Sequence, residues 1–206
     1  MSPEESCQPF FLGLNGSPFK DGIVVEIMNA LLHEAERTGA ETKLVHLYDL
    51  EMIPEKGLYS ENPARAVKEN MPDDDMLSLY PEIERADALV LGTPVYWANM
   101  SAVMKNFIEH LTPLENDGFK LEGKLAAFIA ASKEDEGGRE SAVMSMVSPL
   151  GQMGALIPPN AIIWYPGSWY TSGKSYENWA FGTAKDVGRS MVHLIRVLKE
   201  HPIKWS

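Results

Sequence analysis

The sequence predicts an α/β protein with a doubly wound, five-stranded parallel sheet in the order 2-1-3-4-5. Short apolar runs alternate with amphipathic stretches along the chain, the pattern of a parallel sheet covered by helices on both faces. Five runs read as strands and no sixth follows, which fits that order. Two strand ends open into turn-rich loops, at Leu12-Gly13-Leu14-Asn15-Gly16-Ser17-Pro18 and at Gly92-Thr93-Pro94-Val95-Tyr96-Trp97.

The first strand is Phe10 to Leu14, closed by Asn15-Gly16. Ile23, Ile27, Leu31 and Ala35 then share one helical face, with Asp21 as the expected N-cap and Gly39 as the terminator. Thr42 to Leu47 is the second strand. Residues 49–72 hold three prolines and little periodicity, so they read as a long crossover excursion of the kind that is often functional. Asp73-Asp74-Asp75 puts negative charge at the start of a helix ending near Arg85, a capping and dipole feature rather than a metal site.

Asp87 to Leu91 is the third strand. The helix after it presents Val103, Met104, Phe107, Ile108 and Leu111 and stops before Pro113. Leu125 to Ala131 is continuously apolar, as a strand buried on both faces should be. Arg139 to Gly154 reads as helix, with Pro149 as a kink or end. Ala161 to Trp164 is the fifth strand, and a last helix from Trp179 to Lys199 lines up Ala184, Val187, Met191, Leu194 and Leu198. No repeat or linker divides residues 1–206, so the reading is one domain with a polar lead at 1–9.

Composition narrows the function. The 206 residues are 45% hydrophobic and 23% charged, ordinary for a globular core. A net charge of −11 without a basic cluster argues against nucleic acid. One cysteine, Cys7, makes no internal disulfide and no cysteine-ligated metal site within one chain. With the acidity it points to a reducing, cytoplasmic setting. Residues 1–9 are acidic and proline-bearing and predict no secretory leader. The uncharged stretch 88–104 is too short and too broken by Gly92, Pro94 and Asn99 to span a membrane. The five histidines are scattered and read as structural, and no metal site is expected.

In the order 2-1-3-4-5 the topological switch point lies between strands one and three, where ligands bind in open α/β sheets. The loops after those strands are residues 15–22 and 93–99, the same two turn-rich junctions. Taken alone, Gly16-Ser17-Pro18 is an ordinary βα turn; beside the second junction it suggests a flat, phosphate-bearing cofactor held between the two. It is no P-loop, because no Gly-Lys-Ser/Thr follows at the needed spacing.

Three segments carry a resemblance: Gly16-Ser17-Pro18-Phe19-Lys20-Asp21-Gly22, then Ala86 to Trp97, then Ser101-Ala102-Val103-Met104-Lys105-Asn106-Phe107. A weaker match is Gly123-Lys124, Ser132 and Gly137-Gly138. On these the chain resembles the NADPH-dependent FMN reductases of the flavodoxin-like superfamily, near their iron–sulfur flavoprotein branch. The resemblance implies FMN as cofactor and NAD(P)H as co-substrate. It places Ser17, Phe19, Lys20, Gly22, Ile23 and Val24 around the phosphate. Pro94, Val95, Tyr96, Trp97 and Asn99 would contact the isoalloxazine, and Ser132, Gly137 and Gly138 would close the pocket. It also implies a homodimer or dimer of dimers.

Two departures stand out. Family members usually carry Asn and Thr or Ser where this chain has Ile23 and Val24, so side-chain donors to phosphate are missing. Backbone N–H groups at a helix start still bind a dianion. The 49–72 excursion has no cluster cysteines, so the iron–sulfur role does not carry over. The expected function is an FMN-dependent NAD(P)H oxidoreductase that passes hydride to a small-molecule acceptor, whether quinone, flavin, nitro compound or ferric complex. The alternative is an acidic FMN electron carrier without nicotinamide turnover. No catalytic acid or base is assigned, because the flavin carries the chemistry; Tyr96 and Trp97 are candidates for orienting substrate. Glu134-Asp135-Glu136 reads as a solvated loop or a lip of the site. The aromatic run Trp164 to Tyr170, with Tyr176 and Trp179, reads equally as sheet-edge packing or as a dimer surface or flavin cover.

Overall fold

A computed structural model describes residues 8–54, 73–132, 137–165 and 174–203. Its elements are β1 (Phe10–Asn15), α1 (Ile23–Arg37), β2 (Glu41–His46), a 3-10 turn (Leu47–Asp49), α2 (Met76–Arg85), β3 (Ala88–Pro94), α3 (Ala102–Glu109), α4 (Thr112–Asn116), β4 (Leu125–Ala131), α5 (Arg139–Gln152), β5 (Ile162–Tyr165) and α6 (Lys174–Glu200). All strand pairs are parallel, and the sheet order is β2-β1-β3-β4-β5, as the alternation predicts.

Burial explains the strand sequences. Every residue of β1 and of β4 is buried; β4 reads as an unbroken apolar run, and β1 does so up to the buried polar Asn15. β2 is an edge strand, and Glu41 and Lys43 face solvent. Helices cover the two sheet faces separately. On one face Leu12, Leu14, Leu89 and Leu91 pack with Leu79 and Tyr80 of α2, Met104 and Phe107 of α3, and Met146 of α5. On the other, Phe11, Val90, Ala127 and Ile129 pack with Val24, Ile27 and Leu31 of α1 and Ala184, Val187 and Met191 of α6.

Several boundaries differ from the sequence reading. β3 runs on to Pro94, which pairs with Ala131, because Thr93 is wholly buried and carries the strand into the mouth of the sheet. The loop therefore starts at Val95. The N-cap of α1 is Gly22 and not Asp21, and it makes no side-chain cap bond. α1 ends as expected: the N–H of Gly39 reaches Glu36 O (2.9 Å) and that of Ala40 reaches Ala35 O (3.0 Å), a Schellman closure.

The Asp73–Asp75 run does more than cap. Asp74 accepts from Met76 N–H at 3.0 Å, but the same carboxylate also holds Ile53 N–H and Asp75 holds Glu51 N–H, each at 2.8 Å. The acidic run thus ties the start of the excursion to α2. Pro113 does not only follow a helix; it opens the short α4 at its first turn, where its missing N–H costs nothing. Pro149 lies within the last turn of α5. α6 begins five residues before Trp179. Cys7, residues 55–72 and Glu134-Asp135-Glu136 lie outside the described residues.

Candidate functional site at the carboxyl edge of the sheet

Two loops meet at the switch point. Asn15 is the register partner of Gly92, and the Gly16 N–H donates to the Gly92 carbonyl at 2.7 Å. The Ser101 hydroxyl donates to the Gly16 carbonyl at 2.7 Å. Its own N–H is held by Thr93 Oγ1 at 2.9 Å, and its Oγ caps α3 by accepting from Met104 N–H. One buried serine therefore fixes the start of α3 and the first loop together. Gly92 has no room for a side chain: a Cβ there would lie 2.6 Å from Met28 Cε and 2.8 Å from Val24 Cγ1.

The first loop is braced from within. Asn15 is fully buried; its Oδ1 accepts from Ser17 N–H at 2.9 Å and its Nδ2 donates to Ser17 O at 3.1 Å. Ser17 Oγ accepts from Phe19 N–H at 3.2 Å. The loop delivers the chain to Gly22, where α1 starts. The first N–H groups of a helix have no carbonyl of an earlier turn to bond. With glycine at the cap, no side-chain oxygen satisfies them.

The second loop is a tight turn. Tyr96 and Asn99 exchange backbone bonds of 2.9 and 3.0 Å, with Trp97 at φ 50° and Ala98 at φ 58° between them. Two positive φ values mark a primed turn, normally built on Gly or Asn. Left-handed backbone costs roughly 1–2 kcal/mol for each ordinary residue, so the turn holds strain at the mouth. It is supported from outside. Asn99 Oδ1 accepts from Met100 N–H and from the Ser145 hydroxyl, each at 2.8 Å. Gly138, at φ 85°, abuts it so closely that a Cβ would fall 2.6 Å from Ala98 Cα.

The third wall comes from the ends of β4 and β5. Val95 N–H donates to Ala131 O at 2.9 Å and Ser132 N–H donates to Tyr165 O at 3.1 Å. Buried Arg139 donates to Ser132 Oγ at 3.0 Å and stands over the Trp164 ring at 5.6 Å. Trp164 meets Trp179 in a tilted pair with ring centroids 5.4 Å apart, so this part of the aromatic run packs the sheet edge; Pro166–Tyr170 lie outside the described residues.

Together these walls enclose a cavity of about 460 Å³ lined by Ser17, Phe19, Gly22, Ile23, Val24, Pro94, Val95, Tyr96, Ala131, Ser132 and Tyr165, a volume typical of small-molecule sites. Of the residues singled out in the sequence, Lys20, Trp97, Asn99, Gly137 and Gly138 do not line it. Lys20 Nζ instead pairs with Asp49 at 2.5 Å. Trp97 is fully exposed in the turn, and Phe19 (63%) and Tyr96 (43%) are exposed aromatics of the cavity lining. Sequence reasoning missed Ala131 and Tyr165. A second cavity, about 270 Å³, lies at the amino end of the strands between Ala86-Asp87, Gly123-Lys124 and the end of α6. That is the edge at which α/β sheets do not bind ligands. Among the described residues, no three metal-ligating side chains cluster, and no helix is long and apolar enough to cross a membrane.

Residues 10–169 match the family model of NADPH-dependent FMN reductase. The chain belongs to the NADPH-dependent FMN reductase family. It is thus a flavin-dependent oxidoreductase by family, with FMN and NAD(P)H as the redox partners. An iron–sulfur flavoprotein of Archaeoglobus fulgidus is 30% identical over 73% of this chain and 72% of its own length. An NAD(P)H dehydrogenase (quinone) of the same organism is 28% identical over 72% and 78%. Among solved structures, RosB with bound 8-demethyl-8-formylriboflavin-5′-phosphate superposes at a TM-score of 0.74, 23% identical, over 95% of this chain and 82% of that one. An NAD(P)H:quinone oxidoreductase from Methanothermobacter marburgensis gives 0.66 at 18% identity over 97% and 100%. At these identities the structures establish the fold that the FMN reductase family shares.

Proposed function

We propose that this chain is an NAD(P)H oxidoreductase that holds FMN in the cavity between the Asn15–Gly22 and Val95–Asn99 loops and reduces a small-molecule acceptor at its open mouth. The observation that carries the reading is the Gly16–Gly92 bond, which makes the two loops walls of one crevice.

The residues present fit the group. The uncapped start of α1 offers the N–H groups of Gly22, Ile23 and Val24, with the positive end of the helix dipole, to a phosphate dianion. Ser17 lines the same corner. Lys20 sits in its pair with Asp49, so main-chain donors rather than a cation do the holding. Pro94, Val95 and Tyr96 give a mostly apolar wall for a flat ring, and Ser132, Ala131 and Tyr165 close the inner side.

FMN, when bound, supplies the centre that takes two electrons and a proton from a reduced nicotinamide and hands them on. The chain's own residues supply position. The Gly138 contact and Asn99 hold the Trp97–Ala98 turn in its strained shape. Phe19, Tyr96 and Trp97 present aromatic faces at the mouth, where planar nicotinamide and planar acceptors stack in turn. Quinones, flavins, nitro compounds and ferric complexes are the acceptor classes of this reading. A homodimer that covers the exposed aromatics and a cytoplasmic location complete it. The test is anaerobic addition of NADPH and of NADH to FMN-loaded protein. Bleaching of the oxidised flavin band by either is the expected result. An unchanged band with both would overturn the reading in favour of a simple electron carrier.

A further inference from the structure

The brace of the first loop extends through Asn15 to His46 at the end of β2. The two bonds between Asn15 and Ser17 fix which end of the Asn15 amide is oxygen, because an N–H only donates and a carbonyl only accepts. The remaining hydrogen of Nδ2 then faces His46 Nδ1, 2.9 Å away. That ring nitrogen must accept, so it carries no hydrogen and the imidazole proton sits on Nε2. His46 is the register partner of Asn15 across β1 and β2, so the brace of the first loop ends on a titratable ring.

We propose that His46 is a positioning residue for FMN: its neutral, Nε2-protonated ring holds the Asn15 amide in the orientation that shapes the phosphate loop. The proposal rests on the flavin reading above. A proton on Nδ1 would set two donors against each other at 2.9 Å. Relief requires turning the Asn15 amide, which puts its NH2 against Ser17 N–H, or moving the ring. Turning the amide breaks the brace on Ser17 directly; moving the ring takes away the contact that holds the amide from the β2 side. Phosphate binding, which depends on the aim of those backbone groups, is then lost before the fold is.

Of the charged groups of the adjoining loop and turn, Lys20 and Asp49 pair with each other and Asp21 is exposed. Burial, and secondarily Tyr96, holds the Tyr48 hydroxyl above its ordinary range, so it stays neutral. α1 meets β2 through Met28 and Leu32 near Leu44, and its Glu36 engages Thr42 at the far end. Among the described residues no carboxylate bonds the ring.

The test is fluorescence titration of wild type, His46→Asn and His46→Leu with FMN and with riboflavin, at about pH 7.5 and about pH 5.5. The His46→Asn Oδ1 replaces Nδ1 as an acceptor that cannot gain a proton. The phosphate's own ionisation near pH 6 acts on all variants alike, so His46→Asn is the reference for it. Wild type should lose about tenfold more FMN affinity in acid than His46→Asn. His46→Leu should bind FMN about tenfold more weakly at both pH values, with riboflavin nearly unaffected throughout. Nitrogen NMR of the wild type should show His46 Nδ1 unprotonated at neutral pH, which needs no variant to fold. Equal acid losses in wild type and His46→Asn, or a protonated Nδ1 at neutral pH, would overturn the proposal while leaving the flavin reading intact. No FMN binding by wild type at neutral pH would overturn both.

Discussion

Gly16 and Gly92 join the two loops of the site by a 2.7 Å backbone bond, and Gly92 in turn lies against Val24 at the start of α1. The position of the proposed phosphate corner therefore depends on a residue of the opposite loop. Gly92→Ala puts a Cβ 2.8 Å from Val24 Cγ1. Met28 Cε, also in the way, is the end of a flexible side chain and can swing aside; Val24 is rigid. Overpacking of this kind costs about 1–3 kcal/mol. Urea unfolding should show that loss, and FMN titration should show weaker binding even where the protein is fully folded.

The Trp97–Ala98 turn separates stability from activity. Trp97 is fully exposed and sits at φ 50°. Trp97→Gly removes the left-handed penalty and should raise stability by about 1 kcal/mol, while raising KM for aromatic acceptors. Steady-state kinetics and a thermal melt on the same sample check both halves. An unchanged KM would mean that the ring does not meet the acceptor.

Gly138 supports that turn from the neighbouring loop. A Cβ there would meet backbone, Ala98 Cα at 2.6 Å, at a residue already in the left-handed region. Gly138→Ala should displace the turn and lower kcat/KM for the acceptor by about tenfold, with a smaller effect on the FMN dissociation constant. Equal loss in both would place Gly138 in the flavin pocket itself.

Much of this site can be read from the sequence, and the remainder fails for identifiable reasons. Apolar runs of four to seven residues between amphipathic stretches mark the strands, and the order 2-1-3-4-5 brings residues 15–22 beside residues 93–99. Ser17, Gly22, Ile23, Val24, Pro94 and Tyr96, which the family resemblance places at those junctions, line the cavity. Tyr165 enters only through the pairing of Ala131 with it in the β4–β5 register, for which no local signal exists. Lys20 looks like a phosphate ligand until Asp49, 29 residues on, comes beside it in the fold. The primed turn at Trp97-Ala98 carries neither Gly nor Asn at its centre, so turn chemistry gives no warning of it.

The missing donors at Ile23 and Val24 can be restored. Ile23 lines the cavity next to the uncapped start of α1. Ile23→Asn places an amide where a phosphate oxygen is expected. One added bond to a charged group contributes about 1.5–3 kcal/mol, so FMN binding should tighten at least tenfold. Fluorescence quenching on titration measures it.

Outside the site, Arg85 grips Glu41 with two bonds of 2.7 and 2.8 Å and lies over the Phe10 ring. The bond to Arg85 holds the Glu41 carboxyl below its ordinary range. A lowered folded-state value means the stabilisation is present above the ordinary carboxylate range and fades as pH falls through the folded value. Both side chains are about half exposed, so the pair contributes less than about 1 kcal/mol. Glu41→Gln should cost that much at neutral pH and nothing in strong acid, as read by urea unfolding at the two pH values.

A crystal structure of the protein grown with FMN tests the proposed place of the flavin between the loops that Gly16 and Gly92 join. Phosphate density is expected at the backbone N–H groups of Gly22, Ile23 and Val24, with the ring along Pro94, Val95 and Tyr96. An empty crevice, or a flavin bound elsewhere on the molecule, would contradict it.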